Sequence, residues 1–151
     1  MKIILDASFF FSDCPITGEA YTTPSVLCEL IDIRSKGRFE KLSAEGLKVI
    51  SASAESRGRV VQAAEKTRDI SIISDTDCDI LALALDLEAV LRTDDFALQN
   101  VAGVLGVQII PIIQRKAKRI HWKYRCSGCG RYSDHDGECL ICGSIIKRKL
   151  K

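Results

Sequence analysis

Four of the seven cysteines stand as Cys126-x-x-Cys129 and Cys139-x-x-Cys142 with nine residues between the pairs. No other feature of the chain limits its possible folds as tightly. Two residues between thiols place both on one knuckle, and two knuckles complete a tetrahedral set for a zinc ion. Gly130 and Gly143 directly follow the pairs and suit the positive-φ bends that knuckles require. A segment this short cannot stabilise itself by apolar burial, so metal binding worth roughly 10–16 kcal/mol becomes its folding energy. The spacer is shorter than the commonest two-pair zinc pattern, which predicts a minimal ribbon. Iron in a rubredoxin-like site is the alternative ion, and a disulfide or redox pair is the non-metal reading. His135 lies between the pairs, but four thiolates do not need it. Cys14, Cys28 and Cys78 read as buried or incidental thiols.

The rest of the chain has the alternation of an α/β fold. Of its 151 residues 46% are hydrophobic, enough for one cored domain plus a small appendage. The apolar run Lys2-Ile3-Ile4-Leu5 ends abruptly at Asp6 and predicts a buried parallel strand, with Phe9, Phe10 and Phe11 as packing residues. Thr23 and Pro24 open a helix expected to run to about Lys36 and close at Gly37, with Glu29 within it. Lys48-Val49-Ile50 is a second strand candidate, Ser53 to about Arg68 a surface helix, and Ile70 to Ile73 a brief extended approach to the next helix. Ala89 to Thr93 predicts a strand running into Asp94 and Asp95, Phe96 to Leu105 a helix closed by Gly106, and Val107 to Pro111 the last strand. Such alternation implies a parallel sheet with helices on both faces.

The stretch Ile73 to Leu85 places three acids at the mouth of an apolar helix. Ser74 and Asp77 have the form of a capping box. On a helical wheel Asp75 and Asp79 fall with Asp86 on a plausible solvated face, whereas Asp77 lies within the stripe of Ile80, Leu81 and Ala84. An acid on a buried stripe needs a partner or a metal, and capping competes with ligation for the same carboxylate. Asp6 and the Asp94-Asp95 pair stand at strand carboxyl ends, where ligands bind in such sheets. Neither of the adjacent acids has an obvious neighbouring cation, and they are poor candidates for fold stabilisers. Brought together, these charges would repel by several kcal/mol, so a cation is expected among them. Oxygen ligands suit Mg²⁺ or Mn²⁺.

Asp6 after the first strand, Glu29 in a following helix, the Ser74-x-x-Asp77-x-x-Ile80-Leu81-Ala82-Leu83-Ala84 run and Thr93-Asp94-Asp95 resemble the four acidic motifs of the PIN-domain nucleases. With the cysteine module attached, the whole chain is similar to archaeal members of the Nin-one-binding (NOB) family, endonucleases that trim the 3′ end of precursor small-subunit (16S) ribosomal RNA. The resemblance implies a PIN-like parallel sheet flanked by helices, a small zinc ribbon and Mg²⁺- or Mn²⁺-dependent cleavage. It carries the family's acids onto Asp6, Glu29, Asp77, Asp94 and Asp95; the Thr-x-Asp pattern favours Asp95 over Asp94 as principal ligand. Among partners it implies precursor rRNA, a pre-ribosomal particle and a KH-domain assembly factor.

The expected division is a nuclease domain over residues 1–114, a basic linker over 115–125 and the ribbon with a basic tail over 126–151. In the linker, Arg115, Lys116, Lys118, Arg119, Lys123 and Arg125 interleave with Trp122 and Tyr124. Phosphates suit the cations, and unstacked bases can lie on Trp122 or Tyr124. Arg131, Lys147 and Arg148 extend the basic surface, and the net charge of +2 hides this asymmetry. No apolar run is long enough to span a bilayer, and no cleavable leader is visible; the expected location is the cytoplasm. Two rival readings share part of this pattern. A toxin-type PIN ribonuclease has the acids but usually no zinc ribbon, and a non-catalytic RNA-binding assembly factor predicts disrupted acids.

Overall fold

The computed structural model describes residues 1–113 and 123–149, and the chain divides into two compact units, 1–114 and 115–151. In the first, strand β1 (Lys2–Leu5) leads through a short helix α1 (Ala7–Phe10) to β2 (Glu19–Thr22). Helices α2 (Pro24–Glu29) and α3 (Ile33–Ala44) precede β3 (Lys48–Val49), and α4 (Ala54–Thr67) and α5 (Asp75–Leu87) precede β4 (Val90–Arg92). Helix α6 (Phe96–Leu105) and strand β5 (Ile109–Ile110) complete the unit. All five strands are parallel in the order β3-β2-β1-β4-β5. Right-handed crossovers then place α1–α3 on one face and α4–α6 on the other. The packing follows this except at α2: α1 meets α2 and α3, and α4, α5 and α6 meet one another, but α2 also meets α5.

The core follows from the apolar patterns. Ile3, Ile4 and Leu5 of the central strand are buried, as are Ile80, Leu81 and Leu83 of α5. Phe9 and Phe10 are fully buried in edge-to-face contact, whereas Phe11 is half exposed, which corrects its reading as a packing residue. Helix α4 starts at the Ser53 cap and ends at Arg68, and α6 ends at Gly106, as the sequence predicts.

Three expectations fail. The helix expected from Pro24 to Lys36 breaks at Leu30, because Asp32 caps a new helix by accepting from the Ser35 N–H; Gly37 lies inside that second helix, and Ile31 and Ile33 are exposed. Ile70 to Ile73 form a turn closed on Asp69 rather than an extended approach. The face bearing Asp75, Asp79 and Asp86 is not simply solvated but interlocks with α4: Arg57 pairs with Asp75 at 3.1 Å and Asp79 at 2.8 Å. Asp86 accepts from the Ser53 N–H, the Ser53 hydroxyl and the Ser56 hydroxyl at 2.6, 2.7 and 2.5 Å.

The second unit is an antiparallel sheet of β6 (Lys123–Cys126), β7 (Tyr132–Ser133), β8 (Gly137–Glu138) and β9 (Ile145–Lys149), in the order β7-β6-β9-β8. Its core is Cys126, Cys139 and Ile146, with Tyr124 packed against them.

Burial pushes the Asp86 carboxyl up, but the bonds from Ser56 and Ser53 outweigh it and hold its pKa below the ordinary 3.8. Asp86→Ala removes three bonds that anchor the α4 start and is expected to cost about 1–2 kcal/mol, measured by denaturant unfolding of the full chain. Because the folded pKa is lowered, this stabilisation is complete above the unfolded value and is lost as pH falls through the folded one. The gap between wild type and variant should therefore close in acid.

Candidate functional site

The chain reverses its direction of travel across the sheet between β1 and β4, and the carboxyl ends of those strands form the crevice where such sheets bind ligands. Asp6 follows β1 there and is 7% exposed. It caps α1 by accepting from the Ala7 N–H at 2.6 Å, while its other oxygen accepts from the hydroxyls of Thr93 at 2.8 Å and Ser8 at 3.0 Å. Burial raises the Asp6 pKa against the lowering influence of Thr93, Ser8 and Ala7, and the charge of Asp77 raises it further. Asp6 and Asp77 are therefore close enough to repel.

Asp77 occupies the third position of α5, where the capping box forms in full. Its Oδ2 accepts from the Ser74 N–H at 2.9 Å, and its own N–H donates to the Ser74 hydroxyl at 3.1 Å. This return onto the helix start weighs against Asp77 as a metal ligand. Its Oδ1 has no hydrogen bond among the described residues and keeps its lone pairs.

The paired acids after β4 both support the fold, contrary to expectation. Asp94 Oδ1 accepts from the Ile112 N–H at 2.8 Å, and its two oxygens share the Ile113 N–H at 3.3 Å. Asp95 caps α6 by accepting from the Ala97 N–H at 2.8 Å, and its own N–H donates to Thr93 Oγ1 at 3.1 Å. Asp95 is exposed and has an oxygen with no partner among the described residues. Glu29 ends α2, is exposed, and makes no hydrogen bond among the described residues; α2 packs against α5.

The structure thus draws Asp6, Asp77 and, through Thr93, Asp95 toward one crevice. It turns Asp94 to the backbone after β5 and leaves Glu29 with no hydrogen bond or ion pair to the others among the described residues. No three of these carboxylates lie within ligating distance of one another, since the only such group among the described residues is cysteine. Thr93 is visible in the sequence only as part of the Thr-x-Asp pattern, and the sequence predicts neither its bond to Asp6 nor that of Ser8. The Thr93–Asp6 pairing follows from the parallel register, which sets Leu5 against Arg92 and so places the next residue of each strand side by side.

In the second unit the sulfurs of Cys126, Cys129, Cys139 and Cys142 all lie within 4.8 Å of one another, a group that could hold a metal ion. Gly130 and Gly143 adopt φ of 73° and 75°, and their N–H groups bond back to the carbonyls of Cys126 and Cys139. The thiols are polarised in opposite senses. Bonds from the Ser144 N–H and hydroxyl, with Cys126, lower Cys142 to about 6. Cys129 is lowered by the Arg131 N–H, but burial and the three neighbouring sulfurs carry it up to about 11.

Of the proposed RNA-binding residues, Arg115, Lys116, Lys118, Arg119 and Trp122 lie outside the described residues, and only the backbones of Lys123 and Arg148 are described. Arg125 stands opposite Lys147 across β6 and β9, and Arg131 and Lys147 are exposed. Tyr124 packs on the small core and is not a free stacking platform. The exposed aromatic is Tyr132, 5.7 Å below the Arg125 guanidinium. Strand alternation is its only sequence signal, since it pairs with Arg125 on the neighbouring strand.

Residues 3–87 match the family described as the PIN domain of ribonuclease, and the chain belongs to the PIN-domain ribonucleases. The DNA-bound VapBC2 of Rickettsia felis shares the fold, with a TM-score of 0.53 and 16% identity over 74% of this chain and 98% of that one. The chain is 39% identical to Endoribonuclease Nob1 of Pyrococcus abyssi over 151 residues, covering 97% of this chain and 92% of the relative. It is also 36% identical over 84 residues to the 20S-pre-rRNA D-site endonuclease NOB1 of Saccharomyces cerevisiae, covering 55% of this chain and 18% of that one. Within the PIN-domain ribonucleases, the chain belongs to the Nob1 endoribonuclease family.

Two outcomes follow from this geometry. Because the four sulfurs could hold a metal ion, Cys126→Ser in the full chain is expected to lower the stoichiometry of metal retained after loading with a divalent ion and to collapse the amide spectrum of residues 123–149 while that of residues 1–113 persists; metal analysis and NMR check both. The raised Asp6 pKa means that protonation sets in at higher pH than for an ordinary aspartate, whose value is 3.8. Any divalent-ion affinity of this crevice, probed with Mn²⁺ by calorimetry, should therefore fall on acidification from above that value, and Asp6→Asn should remove this limb.

Proposed function

We propose that the protein is a metal-dependent endoribonuclease that matures the 3′ end of precursor small-subunit rRNA. The observation that carries this reading is the near full-length match to a Nob1 endoribonuclease, joined to an acidic crevice at the switch point of the sheet. Asp6, the unbonded oxygens of Asp77 and Asp95, and Glu29 from α2 would hold Mg²⁺ or Mn²⁺, hard cations that suit an all-oxygen donor set. Asp94 supports that set by fixing the backbone that follows β5. A bound cation would supply Lewis-acid activation of water and charge neutralisation at the leaving oxygen. It would also answer the repulsion between Asp6 and Asp77.

The residues of the chain do the rest. Thr93 and Ser8 hold the Asp6 carboxylate in one orientation, and the caps on α1, α5 and α6 fix the acids relative to the sheet. The cysteines of the second unit would take zinc, whose affinity for four thiolates matches the sulfur cluster. Arg125, Arg131 and Lys147, with Arg115, Lys116, Lys118, Arg119, Trp122, Lys123 and Arg148, would engage the phosphates and unstacked bases of a precursor RNA in a pre-ribosomal particle, with a KH-domain factor as a further partner. Among the described residues no helix is long and apolar enough to cross a membrane; the cytoplasm is the proposed site of action.

Asp77→Asn tests the reading with little disturbance, because asparagine keeps a carbonyl to accept from the Ser74 N–H. In precursor rRNA spanning the mature 3′ end, with Mn²⁺ present, the variant is expected to lose cleavage by at least a hundredfold and to bind RNA within about twofold of wild type. Unimpaired cutting would refute the assignment.

A further inference from the structure

A cavity of about 300 Å³ opens among Thr23, Ser25, Ser51, Arg57 and Asp79. We propose that this cavity receives the base and ribose of the nucleotide next to the scissile phosphate, an inference that rests on the ribonuclease reading above. Its place in the sheet is the first argument. Thr23 follows β2 and Ser51 follows β3, while Asp6 follows β1, and the strand order is β3-β2-β1. Adjacent strands lie about 4.8 Å apart, so the cavity begins roughly one strand spacing from the acid crevice along the same edge. That step suits a neighbouring nucleotide. Ser25 and Glu29 are one turn apart on α2 and so share a face of that helix, which carries the cavity rim toward the acids.

Charge is the second argument. Arg57 is the one cation lining the cavity, and its guanidinium is answered by Asp79 at 2.8 Å and Asp75 at 3.1 Å. A phosphate entering here would be repelled by the Asp79 carboxylate, whereas an uncharged base and sugar would not. The remaining polar groups are hydroxyls. Thr23 Oγ1 and Ser25 Oγ share one hydrogen bond of 2.9 Å, and Ser51 Oγ has no partner among the described residues. A hydroxyl both donates and accepts, which allows it to address a base edge or a ribose 2′-hydroxyl, the groups by which proteins read unpaired RNA. Pro24 and Ala52 contribute apolar wall for the face of the base.

The test is titration of ¹⁵N-labelled full-length protein, without divalent ions, with the four ribonucleoside 5′-monophosphates. Shifts are expected at Ser25, Ser51, Ala52 and Ser53, strongest for one base. Ser51 is exposed, so Ser51→Leu fills the cavity without disturbing the core and is expected to weaken that binding at least tenfold. On short RNAs varied beside the cleaved bond, the same variant should raise KM about tenfold and flatten the preference among the four bases. Wild-type shifts confined to other residues, or a Ser51→Leu variant with unchanged affinity and base preference, would overturn the proposal. Nucleotide binding at the cavity in a protein that cuts no RNA would instead refute the ribonuclease reading and leave the cavity as a nucleotide site.

Discussion

The buried hydrogen bond from Thr93 to Asp6 ties together the two strand ends between which the sheet changes direction. Everything at the acidic edge is placed relative to that bond. On one side the second oxygen of Asp6 starts α1; on the other, the Thr93 hydroxyl takes the Asp95 N–H and so sets the start of α6. A buried carboxylate is costly unless its lone pairs are satisfied, and Asp6 is satisfied by a threonine, a serine and a backbone amide. Burial nevertheless raises its pKa, so these three bonds do not fully offset the cost of keeping the charge out of water.

The same economy of groups recurs around the edge. Asp77, Asp94 and Asp95 each close a piece of backbone, at α5, after β5 and at α6 respectively. At Asp77 and Asp95 the bond to the backbone uses one oxygen and holds the carboxylate in a fixed direction, whereas Asp94 turns both oxygens to the backbone after β5. The cost is repulsion between like charges, and the opposite face of α5 shows how the fold limits it. There Arg57 pairs with Asp75 and Asp79, and Asp86 accepts from the hydroxyls that start α4. Asp77, across the helix, has neither a cation nor a side-chain donor among the described residues. That asymmetry between the two sides of one helix singles out Asp77 from its neighbours.

The sequence made the helices with both a cap and a stop readable: Ser53 and Arg68 bound α4, Ser74 opens α5, and Gly106 ends α6. The knuckle glycines were readable for the same reason, since each occupies a backbone region that side chains avoid. Strand β2, with Glu19 and Thr22 at its ends, lacks an apolar run and exists because the parallel register with β1 pairs it there. The break at Leu30 was hidden by continuous apolar spacing, although Asp32 followed three residues later by Ser35 is itself a start signal. In the acidic site the residue types were legible and their directions were not. Whether Asp94 faces an ion or the amides of Ile112 and Ile113 depends on where β5 ends, a tertiary fact.

The ribbon poses the reverse problem, because there the ligands are the core. Two of its three buried residues are cysteines, and Leu140, Ile141 and Ile145 remain exposed. Apolar burial on this scale cannot offset the ordering of the backbone. Four thiols within 4.8 Å of one another cannot all ionise without a counter-charge. A divalent ion would remove that conflict and supply the missing folding energy at once. The basic strands β6 and β9, which set Arg125 against Lys147, can then tolerate their mutual repulsion. A metal at the four sulfurs would therefore hold in place, along with the fold, the basic surface to which Arg125, Arg131 and Lys147 contribute.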